Sequence, residues 1–250
     1  MITAVRAELL KLRRSLVGRV ATTAVLVGIV ALSAAMLVAT RAGRTEVVAK
    51  LGPDATPDWH GFLAAATQIT AAGGLAGFAI VLAWMFGREF TDRAVHGLFA
   101  LPVGRAQIAT AKLLAYASWA VAVAIILPLL LLGTGLILGL GSPDSATLDG
   151  LARIGVLALL GTILATPVAW AATLGRSVLA GIGVAIALIV IAQFSVLAGV
   201  GGWMPLAAPA LWAMSDGRLA TFPQTMLVLP FGAIWIALTV WSWRRLQLDR

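Results

Sequence analysis

Six long apolar runs decide what this chain can become. They cover about 16–40, 61–87, 113–140, 152–174, 178–200 and 225–243 of the 250 residues. Each reaches the length of about 20 residues that a helix needs to cross the hydrocarbon core of a bilayer. A water-soluble domain cannot hide this much apolar surface. Hydrophobic residues make up 61% of the chain and charged ones only 11%, where average apolar usage is about 45–50%. The pattern predicts a single all-α membrane domain over residues 1–250, with six transmembrane helices.

Ahead of the first run, Ile2, Val5, Leu9, Leu12 and Leu16 step by three and four and form one apolar stripe, with Arg6 and Arg13 flanking it and Lys11 and Arg14 pointing away. This spacing predicts an N-terminal interfacial amphipathic helix lying among the headgroups, its basic groups toward anionic lipid. The apolar run that follows is too long for a signal-peptide core of about 7–15 residues, so the sequence predicts an uncleaved anchor.

Charge placement orients the six spans. With both termini on the cytoplasmic side, 13 of the 18 basic residues fall inside and 5 outside, while the acidic residues divide 4 inside and 6 outside. Excess Lys and Arg on cytoplasmic segments is the normal topological bias. The net charge of +8 therefore follows from topology and does not call for nucleic acid. Arg outnumbers Lys by 15 to 3, and Ala is abundant. Both fit a GC-rich bacterial source, and with the six-span layout the expectation is a multi-pass protein of the bacterial plasma membrane.

Interruptions inside the runs carry local expectations. Gly73, Gly74 and Gly77 among alanines predict a second span packed closely against its neighbours. Pro128 and Pro167 are candidate kinks in the third and fourth spans. Arg176 marks a turn short enough to make spans four and five an antiparallel hairpin. Residues 201–224 are too broken by Pro and Gly to span, and predict a short exterior or re-entrant segment. Gln68, Thr67 and Thr70 in the second span and Gln193 in the fifth are rare polar groups in apolar surroundings. They either line a substrate path or bond to a neighbouring helix, the commoner role for such groups.

Several chemistries are absent. There is no Cys, hence no disulfide or thiolate site, and His60 and His96 have no companions at metal-ligand spacing. No G-x-x-x-x-G-K-[ST] phosphate loop and no H-E-x-x-H helix occurs. The spans offer essentially no ionisable residue at depth for proton relay or intramembrane catalysis. No catalytic residue, metal or cofactor is expected on this chain.

One charged island interrupts the apolar runs, Gly87 to Lys112, GREFTDRAVHGLFALPVGRAQIATAK. It predicts a short cytoplasmic helix between spans two and three, capped by Thr91 or Asp92 and closing near Leu101-Pro102. Val95, Leu98 and Phe99 share one face; Asp92, Arg93 and His96 share the other. Glu89-Phe90, Val95-His96-Gly97-Leu98, Leu101-Pro102-Val103-Gly104-Arg105 and Ala111-Lys112 together resemble the first cytoplasmic loop of ABC-2 type transporter permeases. In that family a glutamate precedes a short coupling helix, a Pro closes it, and an Arg and a Lys lead into the third span. Ala94 departs from the Thr or Ser often found there.

The resemblance implies a permease subunit of an ATP-driven exporter. Glu89, Asp92, Arg93, Val95, Leu98, Phe99, Pro102 and Arg105 would couple it to a separate ABC ATPase chain that binds ATP and Mg. It also implies a second permease chain as partner. Within this frame Glu89 is expected to pair with a cation such as Arg93 or to cap backbone amides, with Arg105 and Lys112 held at the headgroups. Gln68, Thr70 and Gln193 are the candidate path residues. An apolar bundle suits a hydrophobic or amphipathic cargo. The alternatives are an ion-coupled secondary transporter, for which an inverted repeat would be the signature, and a non-transporting membrane scaffold.

Overall fold

A computed structural model describes residues 2–44, 52, 55–92 and 104–246, and every regular element among them is helical. The chain opens with α1 (Ile2–Arg14). Ser15 then leaves the helical conformation, at φ −72° and ψ 147°, and its hydroxyl accepts the Gly18 amide to start α2 (Leu16–Arg41). A single capping serine therefore sets the corner between an amphipathic helix and the first span.

The second span is α3 (Trp59–Ile69), a π turn over Thr70–Gly74, and α4 (Leu75–Thr91). Asp58 caps it by accepting the Gly61 amide at 3.1 Å. The third, α5 (Arg105–Ile137), runs unbroken through Pro128. The fourth joins α6 (Ser145–Leu164), capped by Asp144, to α7 (Pro167–Leu174). Pro167 does break this span, since it brings no amide hydrogen and sits at the first position of a new helix. After Arg176, which adopts a positive φ of 48° in the turn, α8 (Val178–Leu197) returns as the fifth span. A short 3₁₀ turn (Gly201–Trp203), α9 (Ala208–Met214) and α10 (Phe222–Thr225) occupy the Pro- and Gly-broken stretch before α11 (Val228–Arg244). Among the described residues, six helical segments are long and apolar enough to cross a membrane, in agreement with the hydropathy pattern.

The second and fourth spans form the centre. About two thirds of their most apolar windows are buried, 61% and 67%, against 22–33% for the other four. The Gly- and Ala-rich second span thus packs as its composition predicts. Phe62, Phe78, Phe86 and Ile154 fill the interior. Small residues set the closest approach: a Cβ on Gly87 would lie 2.5 Å from the Val178 nitrogen, and one on Gly181 would lie 2.7 Å from the Ala83 Cβ. Helices α4 and α8 therefore meet nearly backbone to backbone.

Two features differ from expectation. The third span begins at Arg105 rather than near 113, so Arg105–Lys112 is helix and not loop. At 33 residues this helix is about 50 Å long, well beyond the roughly 30 Å hydrocarbon thickness. Its first two turns are polar, yet they continue the helix because Gln107 accepts the Gly104 amide and so caps its start. The stripe of α1 is also divided. Leu12 is buried and Val5 and Leu9 pack on the bundle, whereas Ile2 and Leu16 are exposed.

Candidate functional site

The charged groups that the fold gathers most tightly lie at the end of the bundle where α1, α4 and α5 converge. Lys112, two turns into α5, is only 1% exposed. Its ammonium donates to Glu89 Oε1 at 2.6 Å and to Glu8 Oε2 at 2.9 Å. Lys11 completes the group, donating to Glu8 Oε1 at 2.7 Å and approaching Glu89 Oε1 at 3.4 Å. Two carboxylates and two ammonium groups thus neutralise one another among three helices that are far apart in sequence.

Each member is placed by its own helix. Glu8 lies on the face of α1 that also carries Val5 and Leu12, three and four residues away, so burying that face buries the carboxylate with it. Glu89 is held near the end of α4 by the neighbours on either side. Phe86 and Phe90 both meet the Trp243 ring, at centroid distances of 5.8 and 6.2 Å. The Trp243 indole N–H donates to Thr173 at 3.0 Å. Nearby, the Arg105 guanidinium donates to the Leu246 carbonyl, which ties the start of α5 to the end of the last span. Burial works to lower the pKa of Lys11, but its hydrogen bond to Glu8 and the charges of Glu8 and Glu89 outweigh this. They hold it above its ordinary 10.5.

One expectation is corrected here: Lys112 is buried against Glu8 and Glu89 rather than held at the headgroups. Glu89 bonds Lys112 and Lys11, while Arg93, the loop cation expected to pair with it, lies outside the described residues. The two proposed caps are engaged with the preceding helix: the Thr91 hydroxyl donates to the Gly87 carbonyl at 3.2 Å, and Asp92 pairs with Arg88 at 3.1 Å. Arg93, Val95, Leu98, Phe99 and Pro102, with the short helix expected there, lie outside the described residues.

Glu8 is not singled out by the sequence, and Lys11, expected to point away from the apolar stripe, instead reaches Glu8 and Glu89. The available signal was a lone carboxylate on the apolar face of an otherwise basic amphipathic helix. Such a group needs a buried cation.

The opposite end of the bundle holds a cavity of about 550 Å³ between the start of α3, the start of α6 and residues 213–218. Trp59, which lines it, donates to the Gly141 carbonyl at 3.2 Å. Asp58, Asp144, Arg153, Asp216 and Arg218 line it, with Arg153 and Asp216 ion-paired. Burial works to raise the pKa of Asp58, but the Thr56 hydroxyl and the Gly61 amide hold it below the usual carboxylate value. Of the polar groups expected to line a path, Gln68 and its neighbour Thr67 line this space. Thr70 is buried and donates back to the Ala66 carbonyl at 2.7 Å. Gln193 is exposed on α8, so Gln68, Thr70 and Gln193 share no common cavity.

Comparison with known proteins adds one finding. A family model described as an ABC-2 family transporter protein matches residues 4–193, about three quarters of the chain. No curated protein and no solved structure matches.

Proposed function

The chain belongs to the ABC-2 family of transporter proteins and is a membrane permease of an ABC-type transporter, and from that premise we propose that it couples export to ATP hydrolysis through its 88–105 segment. ATP and Mg²⁺ are held by a separate ABC ATPase; no phosphate-binding loop occurs on this chain. Two permease chains assemble with two ATPase chains, and the termini face the cytoplasm of a bacterial cell.

The observation that carries this reading is the position of Lys112. Glu89 stands at the start of the 88–105 segment and Lys112 two turns past its end, and the two are bonded at 2.6 Å. The same ammonium holds Glu8 of α1. A push on the loop by the ATPase therefore acts on α4, α5 and α1 as one body rather than bending the loop alone. Coupling of this kind needs a rigid element with two arrangements, and a buried network of charge-assisted hydrogen bonds supplies the rigidity. The bundle then rocks between inward- and outward-facing states, and a hydrophobic or amphipathic cargo leaves through the cavity lined by Gln68.

The test is co-expression with a candidate ATPase chain, followed by ATPase measurements in lipid. The expected result is a stable complex whose hydrolysis is stimulated by cargo. Transport that persists with no ATPase, driven by an ion gradient, would refute the assignment.

A further inference from the structure

A groove of about 500 Å³ runs along the outside of the bundle between α2 and the second span. All fourteen residues that line it are apolar or glycine. Val20, Ala24 and Gly28 form one wall; Ile69, Gly73 and Ala76 form the other. It extends from Leu16 to Leu32 along α2, about 24 Å at the helical rise of 1.5 Å per residue. The floor is tight, because a Cβ on Gly77 would lie 2.1 Å from Val25. The walls are open: a Cβ on Gly28 meets nothing within 4 Å, and one on Gly73 meets only the Ile69 side chain, at 3.8 Å.

The groove begins where α1 ends. Arg13 and Arg14, both exposed, precede Leu16 by two or three residues. The one carboxylate on α1, Glu8, is already bonded to Lys11 and Lys112. Helix α1 therefore presents an excess of positive charge at the mouth of a slot lined only by hydrocarbon. Nothing along the slot can bond to a polar cargo, and its length is close to the roughly 30 Å hydrocarbon thickness of a bilayer.

We propose that this groove holds an acyl chain of an anionic phospholipid whose phosphate is met by Arg13 and Arg14. Apolar packing in the slot and attraction at its mouth act on one molecule. Together they favour an anionic lipid over a zwitterionic one with the same chains. Bound there, the lipid fixes α2 against the second span and ties α1 to the membrane surface beside the Glu8–Lys112 pair.

The full chain in nanodiscs of mixed phosphatidylglycerol and phosphatidylethanolamine provides the test, with retained lipid read by native mass spectrometry after transfer to detergent. Gly28→Phe and Gly73→Phe fill the slot from opposite walls, while Gly183→Phe adds the same ring to α8, where a Cβ also meets nothing within 4 Å. Both groove variants are expected to lose phosphatidylglycerol by about tenfold, with Gly183→Phe like wild type. The Arg13→Gln/Arg14→Gln pair should keep lipid but lose the preference for phosphatidylglycerol. Wild-type retention in both groove variants, equal loss in the α8 control, or an unchanged headgroup preference in the arginine pair would each overturn the proposal. So would a disulfide between copies of Gly28→Cys, which would assign the groove to a second copy of the chain. The native chain has no cysteine to confuse that readout.

Discussion

Lys112 stands 2.6 Å from Glu89, although 23 positions separate them in the chain. The pair joins the end of α4 to the start of α5, on either side of residues 93–103. Removing the ammonium leaves two buried carboxylates, Glu8 and Glu89, with only the partly exposed Lys11 to balance them. Lys112→Met is therefore expected to cost about 3–5 kcal/mol, the usual penalty for breaking a buried pair from one side. The triple variant Glu8→Gln/Glu89→Gln/Lys112→Met removes the three buried charges, leaving only the partly exposed Lys11, and should recover most of that loss. Thermal unfolding in lipid nanodiscs checks both; a triple variant no more stable than Lys112→Met would show that charge is not what the site balances.

Lys11 should give the network a measurable pH dependence. Its pKa in the folded chain is raised above the ordinary 10.5. A raised ammonium pKa adds stability that is complete below the ordinary value and disappears as pH rises through the folded one. Wild type should therefore lose stability above pH 10.5 more steeply than Lys11→Met. The difference is expected to be small, because the Lys11 side chain is 41% exposed and solvent screens its pairs. Parallel alkaline unfolding curves would contradict the assignment.

Gly87 packs where no side chain fits. A Cβ there would come within 2.5 Å of Val178 backbone, and backbone cannot swing aside as a flexible side chain can. Gly87→Ala should destabilise the bundle by about 1–3 kcal/mol through overpacking. Gly28→Ala, with open space around its Cβ, should be close to neutral by the same thermal measurement.

Most of the architecture was legible in the sequence because bilayer spans are written in long runs. Length and hydropathy located six helices, glycines marked the buried second span, and Pro167 marked the break in the fourth. The charge cluster was harder to read. Glu8 and Lys112 are 104 positions apart, and no local period connects them. Lys112 resembled a headgroup lysine because the polar start of α5 reads as loop when hydropathy alone is followed. The separation of Gln68, Thr70 and Gln193 was likewise invisible, since polarity within a span does not say which way a side chain turns.

The proposed orientation predicts a labelling pattern. Ser15→Cys and Gly104→Cys lie at the end of the bundle that holds Glu8 and Lys112, and should react only with thiol reagents that reach the cytoplasm. Ser142→Cys, beside the opposite cavity, should be labelled from outside intact cells. Exterior labelling at position 104 would invert the topology and remove the coupling assignment.

Force transmission and ATPase docking should separate by mutation. By their spacing in the sequence Val95, Leu98 and Phe99 would share one face of the proposed coupling helix, too short to be stable alone in water, so its apolar side would require a partner. Phe99 is the largest anchor on that face, and Phe99→Ala is expected to weaken association with the ATPase by about 1–3 kcal/mol. Leu98→Asp places a charge in the same contact and should act in the same direction. Glu8→Gln instead leaves the docking face untouched but loosens α1 from the Lys112 ammonium, where Glu8 bonds at 2.9 Å. It should therefore retain the ATPase while lowering transport per ATP hydrolysed. Measuring co-purification and transport side by side distinguishes the two effects. Normal association in Leu98→Asp would eliminate the docking role of the loop, and unchanged coupling in Glu8→Gln would show that α1 does not share the movement.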